Sequence, residues 1–281
     1  MTEVYTLANG HTIPKLGFGT WELKDGDEAY NAVRYALDAG LRHIDTAQAY
    51  KNEASVGKAI AESGIEREEI FLTTKIWNDK GTYEDALQSI EDSLNRLQTD
   101  YVDLLLIHWP NPAKFRENPG FEERNAAVWR AMEETYHKGQ ARSIGISNFR
   151  KNHIDALLKT ATVMPVVNQI KLTPGLTQDD IVAASRAHDM ILEAYSPLGS
   201  GEIFKNPVVI DMAEKYGKTV AQVALRWSIE HGFVPLGRSR SREHIESNAQ
   251  IFDFSLAAED IETLDQLEGM SRDHNPDEAN F

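Results

Sequence analysis

Along this chain, apolar runs of strand length alternate with stretches whose apolar residues recur every three or four positions. The runs are "LRHIDTA", "IFLTTKIW", "YVDLLLIHW", "ARSIGISN", "MPVVNQIKL" and "MILEAYSPL", and "KLGFGTW" and "FVPLGRS" bring their number to eight. Between them lie amphipathic patterns such as "TYEDALQSIEDSLNRLQT", where Ala86, Ile90, Leu94 and Leu97 form one stripe at helical spacing. The first helix is expected over "DEAYNAVRYALDAG" and the last over "SREHIESNAQIF", with extra helices in the C-terminal half, among them "TVAQVALRWSIEHG". Eight strand–helix alternations in 281 residues predict an α/β fold whose parallel sheet closes on itself, a (β/α)8 TIM barrel forming one domain over residues 1–281. Ahead of it, "VYTLANGHTIP" reads as an N-terminal β-hairpin with a tight turn at Asn9-Gly10, because both residues tolerate positive φ.

Composition narrows the function classes. With 41% apolar and 26% charged residues the chain is of the soluble globular kind. Lys and Arg number 29 against 44 Asp and Glu, a net charge of -15 that repels nucleic acid and anionic membranes over most of the surface. The absence of cysteine excludes disulfides, thiolate metal sites and a cysteine nucleophile. The nine histidines form no H-E-x-x-H cluster, so no metal is expected. The start "MTEVYTLANG" resembles neither a signal peptide nor a membrane anchor, and the cytoplasm is the expected compartment.

In a barrel of this kind chemistry sits at the C-terminal strand ends. Asp45 ends the second strand with Tyr50 in the loop beyond, Lys75 ends the third, His108 ends the fourth, Ser147 and Asn148 end the fifth, and Gln169 lies on the sixth. Singly, each has a structural explanation as a cap, an ion pair or a core histidine. Jointly they fit a proton relay. A phenol is a poor acid at neutral pH, an adjacent ammonium favours its ionised form, and a buried lysine needs a carboxylate to stay charged. Lys75 would then tune Tyr50, Asp45 would hold Lys75, and His108 would donate to a substrate oxygen.

"GFGTW", "HIDTAQAYKNE", "LTTKIWN", "DLLLIHWP", "SIGISNF", "VNQIKLTPG", "AYSPLG" and "SREHIESN" follow one another in an order and spacing that resembles the aldo-keto reductases over nearly the whole chain. Within that family the chain is most similar to bacterial members of the kind that includes 2,5-diketo-D-gluconate reductases. The resemblance implies reduction of aldehydes and ketones by hydride transfer from NADPH bound at the barrel mouth. By it Tyr50 is the general acid, Asp45 and Lys75 tune it, and His108 orients the carbonyl. A monomer is the expected state.

The cofactor must be held without a Rossmann turn, since "GFGTWE" has only two of the three glycines and opens no helix. The phosphate candidate is "GRSRSREH", residues 237–244, where arginine forks and a helix start favour an anion. The resemblance assigns Ser147, Asn148 and Gln169 to the nicotinamide carboxamide and Tyr195 to stacking on the ring. It assigns Ser196, Leu198 and Ser200 to the pyrophosphate side, and Arg238, Ser239, His244 and Asn248 to the adenosine end. Thr20 completes the cofactor set. Relatives commonly carry Pro-Lys-Ser where this chain has Gly237-Arg238-Ser239, and often arginine at the place of His244. A neutral His244 adds no charge, which leaves room for NADH. Relatives also often carry Glu and His at the places of Lys171 and Thr173. Trp21, Trp77 and Trp109 would line an apolar substrate pocket, with the loop "NPAKFRENPGFEER" and the tail after Met270 closing over it. Two rival readings stay open: a lyase forming a Schiff base on Lys75, and a nucleotide-binding regulatory subunit of the same fold.

Overall fold

The computed structural model describes residues 3–281. Eight parallel strands form a closed barrel in sequential order: β3 (Gly17–Gly19), β4 (His43–Asp45), β5 (Phe71–Ile76), β6 (Leu104–Ile107), β7 (Ile144–Ser147), β8 (Val167–Lys171), β9 (Ile191–Tyr195) and β10 (Val234–Gly237), with β10 pairing back to β3. The hairpin strands β1 (Val4–Thr6) and β2 (Thr12–Pro14) precede it. The outer layer is α1 (Asp27–Asp38), α2 (Glu53–Ala61), α3 (Tyr83–Leu97), α4 (Phe121–His137), α5 (Lys151–Leu158), α6 (Asp179–Arg186), α7 (Pro207–Tyr216), α8 (Val220–Glu230), α9 (Arg242–Asn248) and α10 (Ala258–Asp265).

The α3 stripe behaves as its spacing predicts. Ala86, Ile90, Leu94 and Leu97 are all buried, Thr82 accepts a hydrogen bond from the Asp85 amide at the N-cap, and Gln98 ends the helix in the left-handed region at φ 55°. Close helix packing fixes one glycine. A Cβ on Gly57 of α2 would stand 2.4 Å from the Leu97 carbonyl oxygen, so α2 can cross the end of α3 only there.

Two sequence expectations change. The hairpin does not turn on Asn9-Gly10 alone: Leu7 N donates to His11 O at 2.8 Å, leaving a three-residue loop in which Gly10, at φ 88°, takes positive φ and Asn9 does not. Asn9 instead donates through Nδ2 to Arg142 O and Ser143 Oγ. The last predicted helix is shorter than expected. α9 stops at Asn248, while the extra helices expected in the C-terminal half are present as α7, α8 and α10. α7 starts where Asn206 caps the Val208 amide and Pro207 occupies the first turn.

Inside the barrel the period of two sorts residues into layers. Leu7 and Ile13 of the hairpin pack with Phe71, Leu104, Leu106, Val167 and Val234 to close the N-terminal end. Above this floor the buried side chains become polar: His43, Thr73, Gln169 and Glu193, then Asp45, Lys75 and Lys171.

Candidate active site

The barrel brings Asp45, Tyr50, Lys75 and His108 together. β4 and β5 are neighbours with Asp45 paired in register to Thr73, which sets Lys75 one inward-facing position further toward the mouth. Lys75 Nζ, wholly buried, donates to Asp45 Oδ1 at 2.6 Å, to Asp45 Oδ2 at 2.8 Å, to Thr46 O at 3.0 Å and to Tyr50 Oη at 3.1 Å. Tyr50 ends a short 3-10 turn, Gln48–Tyr50, that is held in place by side chains: Gln48 donates to Ser89 O and accepts from Trp77 N. Asn52 ties the same loop to the strand before it by donating to Thr20 O and Leu23 O while accepting from Thr46 Oγ1. His108 follows β6 directly, its ring centroid 5.7 Å from that of Tyr50 and 5.1 Å from that of Trp77.

Electrostatics separates these groups. Burial presses Lys75 toward the neutral amine, but Asp45 and then Tyr50 outweigh it and hold the ammonium above its usual range. Burial pushes the Tyr50 phenol up, and Lys75 lowers it only in part while Asp45 raises it again. The expectation that Lys75 makes Tyr50 a stronger acid therefore holds only relative to a buried phenol without the ammonium; the net direction is upward. Burial, helped by Lys75, takes His108 well below its ordinary value, so its imidazole is neutral and can donate from one ring nitrogen only. His108 Nδ1 is buried with no hydrogen-bond partner in the protein.

A second cluster adjoins the first. Ser147 Oγ donates to Gln169 O at 2.8 Å, Asn148 Nδ2 donates to His108 O at 3.0 Å, and Tyr195 Oη donates to Asn148 Oδ1 at 2.8 Å. Asn148, Ser196 and Ser200 stand at φ 63°, 50° and 54°, left-handed conformations that non-glycine residues adopt at a cost. Leu198, half-buried, packs against the core beside this turn. Thr20 also lies here, but its hydroxyl and amide both donate to Asp45 O at 3.0 Å, which commits it to holding Asp45.

The basic cluster lies at the β10 end. Arg238 Nη2 reaches Glu22 Oε2 at 2.5 Å, and Arg240 donates to Glu28 Oε1 at 2.9 Å and to Glu22 O at 3.0 Å. Ser239 Oγ accepts from the Ser241 amide, Ser241 caps α9 at the His244 amide, His244 is exposed, and Asn248 is half-buried beside Arg238.

Aromatic side chains rim the mouth. Trp21 is half-exposed with its ring 5.0 Å from Tyr50, Trp77 is half-buried and Trp109 buried. Sequence reasoning missed their partner, Phe281, which stacks on Trp77 at 6.3 Å and meets Trp109 edge-on at 4.7 Å. The tail that carries it is pinned by the loop after β6 and by the start of α5. Asp277 Oδ1 accepts from Asn111 at 2.7 Å and from His153 Nε2 at 2.9 Å, Arg116 donates to Ala279 O at 2.7 Å, and Arg150 pairs with Asp273. The departure at Lys171 has a structural consequence here, since its Nζ donates to Arg272 O at 3.1 Å, while Thr173 Oγ1 donates to Pro197 O at 3.0 Å. Sequence reasoning also passed over His43, Thr73 and Glu193. The signal was available as polar residues two apart on single strands, His43 with Asp45, Thr73 with Lys75 and Glu193 with Tyr195.

A cleft of about 730 Å³ opens at the opposite end of the barrel, lined by Arg42, Glu69, Asp103 and Arg142 among others, and none of the candidate residues borders it. Among the described residues no cluster of His, Asp or Glu could hold a metal ion, and no helix is long and apolar enough to cross a membrane.

Known proteins resemble this chain throughout. The pattern of the Aldo/keto reductase family matches residues 15–268. The chain is 43% identical to the glyoxal reductase of Bacillus subtilis, covering 100% of this chain and 99% of that protein. It is 42% identical to the 9,11-endoperoxide prostaglandin H2 reductase of Trypanosoma cruzi, over 93% of this chain and 90% of that one. Among solved structures, an aldo-keto reductase of Bombyx mori in complex with NADP superposes with a TM-score of 0.88 at 35% identity, over 98% of this chain and 95% of that one.

Proposed function

The chain belongs to the aldo/keto reductase family, and from that premise we propose that it reduces aldehydes and ketones to alcohols with NADPH, Tyr50 giving the proton to the carbonyl oxygen. The observation that carries the assignment is the Lys75 ammonium, which donates to Tyr50 Oη at 3.1 Å and to both oxygens of Asp45. When bound, NADPH supplies the hydride that reaches the carbonyl carbon. The residues fit such a cofactor: a polar set at the mouth, Ser147, Asn148 and Gln169, would hold the carboxamide; Tyr195 would back the ring; Ser196, Leu198 and Ser200 would hold the pyrophosphate; and Arg238, Ser239, His244 and Asn248 would hold the adenosine end, with the Arg238 fork suited to a 2'-phosphate. The orphaned Nδ1 of His108 fits a site in which the imidazole meets a ligand.

The protein contributes position and charge. Asp45 keeps Lys75 charged, and as the phenol gives up its proton the ammonium stabilises the phenolate that remains. Neutral His108 donates a hydrogen bond that aims the carbonyl oxygen at Tyr50. Trp21, Trp77, Trp109 and Phe281 shed water from the pocket and favour carbonyls with apolar or ring-like bodies. The same ion pair argues against a lyase, because a Schiff-base lysine needs a free amine and Asp45 holds Lys75 as the ammonium. All of these groups come from one chain of residues 1–281, read here as one barrel domain acting as a monomer in the cytoplasm.

The decisive experiment follows nicotinamide absorbance against a panel of dicarbonyls, aldehydes, α-keto esters and keto sugars, with NADPH and NADH in parallel. Carbonyl-dependent oxidation of NADPH is the expected result. Cofactor binding without turnover on any member would transfer the assignment to a regulatory subunit.

A further inference from the structure

Glu193, on β9 inside the barrel, takes no part in the chemistry described above, yet it is wholly buried next to it. Its carboxyl has no cation of its own. Oε2 accepts from Gln169 Nε2 at 2.7 Å, while Oε1 has no hydrogen-bond partner and faces His43 Nε2 at 3.4 Å. Burial and the nearby Lys75 push His43 down to about 3, so it is a neutral ring and supplies no charge. The other ionisable groups acting on Glu193 are Asp45 on β4, Lys75 on β5 and Tyr50 in the loop after β4. Its register partners, Gln169 on β8 and Val234 on β10, do not titrate.

An unpaired buried carboxylate is costly, and a buried acid answers by keeping its proton. Burial and then the Asp45 charge push Glu193 up to about 8. The proton belongs on Oε1, since Oε2 is already accepting from Gln169.

Gln169 is the link to the site. Its amide group has two hydrogens, and both are taken by carboxyl groups: Nε2 donates to Asp45 Oδ2 at 2.9 Å and to Glu193 Oε2 at 2.7 Å. Two acceptors on the nitrogen side fix which way the amide points, leaving Oε1 as its uncommitted polar atom. We propose that Glu193 is a positioning residue: with Asp45 it fixes the direction of the Gln169 amide, so that the carbonyl of Gln169 meets the nicotinamide carboxamide. This rests on the reading above that Gln169 contacts the nicotinamide. The consequence is a mechanical tie between the cofactor grip and the Asp45–Lys75 pair, with Glu193 as its anchor.

The test uses the full chain and reads cofactor affinity by fluorescence, for NADPH and NADH, with Glu193→Leu, Glu193→Gln and Gln169→Leu. Losing one of two acceptors frees the Gln169 amide to turn, so Glu193→Leu should weaken both cofactors about tenfold, the scale of one hydrogen bond. Glu193→Gln keeps an acceptor and should restore affinity to within about twofold at pH 7. Infrared difference spectra between the wild type and Glu193→Gln should carry a protonated carboxylic acid band at pH 7 that fades through pH 8; this reading survives if Glu193→Leu does not fold. Wild-type affinity in Glu193→Leu alongside weakened binding in Gln169→Leu overturns the proposal and leaves the function standing. Wild-type affinity in Gln169→Leu overturns both the proposal and the nicotinamide contact. A carboxylate band alone at pH 7 overturns the protonated anchor.

Discussion

Arg238 Nη2 stands 2.5 Å from Glu22 Oε2, so the guanidinium assigned to the 2'-phosphate of NADPH already has a carboxylate partner. Arg240 is likewise engaged by Glu28. A dianionic phosphate must compete with Glu22 for the same fork, and NADH carries no phosphate to do so. Glu22→Gln is therefore expected to tighten NADPH severalfold and leave NADH unchanged, the modest size following from the pair's exposure. Arg238→Ala should weaken NADPH about tenfold more than NADH. Titration of both cofactors against the two variants checks the pair, and parallel changes for NADPH and NADH would remove Arg238 from the phosphate site.

Replacing Tyr50 with Phe removes the proposed proton donor and leaves the ring in place. Carbonyl reduction should fall by roughly 10²–10⁴-fold, the usual worth of a positioned acid, while NADPH affinity stays within about twofold. Steady-state rates and fluorescence titration on one preparation decide it.

The direction of the Tyr50 shift sets the pH dependence. With its pKa raised by burial, the phenol stays protonated through neutral pH, so reduction should remain level there and decline only on the alkaline side. Alcohol oxidation needs the phenolate and should rise toward that same alkaline limb. Profiles in the two directions that fall together near neutrality would assign the proton to another group.

Glu193 gives a stability signature with a definite sign. The folded chain holds its proton to about 8, whereas the unfolded chain releases it near the ordinary carboxylate value of 4.5. A raised acid contributes stability that is complete below the unfolded pKa and is lost as pH rises through the folded one. Glu193→Gln should thus gain stability relative to the wild type between pH 4.5 and 8, by on the order of 3 kcal/mol. Denaturant unfolding of both proteins at pH 5 and pH 8 measures it.

Phe281 closes the aromatic wall against Trp77 and Trp109. Phe281→Ala should raise KM for bulky apolar aldehydes by about tenfold and change small dicarbonyls little, because only large substrates lose a contact surface. Asp277→Asn weakens the tail's hold on Asn111 and His153 and should act in the same direction, to a smaller degree.

Much of this was legible in the sequence. Eight apolar runs sufficed for the barrel because strands buried on both faces read as continuous apolar segments, and the fold then located Asp45, Tyr50, Lys75 and His108 at one end. The rest depended on distances that sequence does not carry. Glu193 and His43 are far apart along the chain and meet only when β9 and β4 face each other across a closed barrel. Phe281 reaches Trp109 because Lys171 at the end of β8 and Asn111 and Arg116 in the loop after β6 each hold part of the tail. The sign of the Tyr50 shift could not be read either, since it is a contest between burial and Lys75 that only depth decides.

The hairpin floor has a kinetic meaning. Leu7 and Ile13, packed against Leu104, Leu106 and Val234, stopper the end of the barrel opposite the candidate site. With Tyr50 as the acid proposed above, the spent proton would be replaced from the side of the mouth that the alcohol leaves by. On that reading product release precedes proton uptake, and solvent isotope substitution gives a handle on the release step.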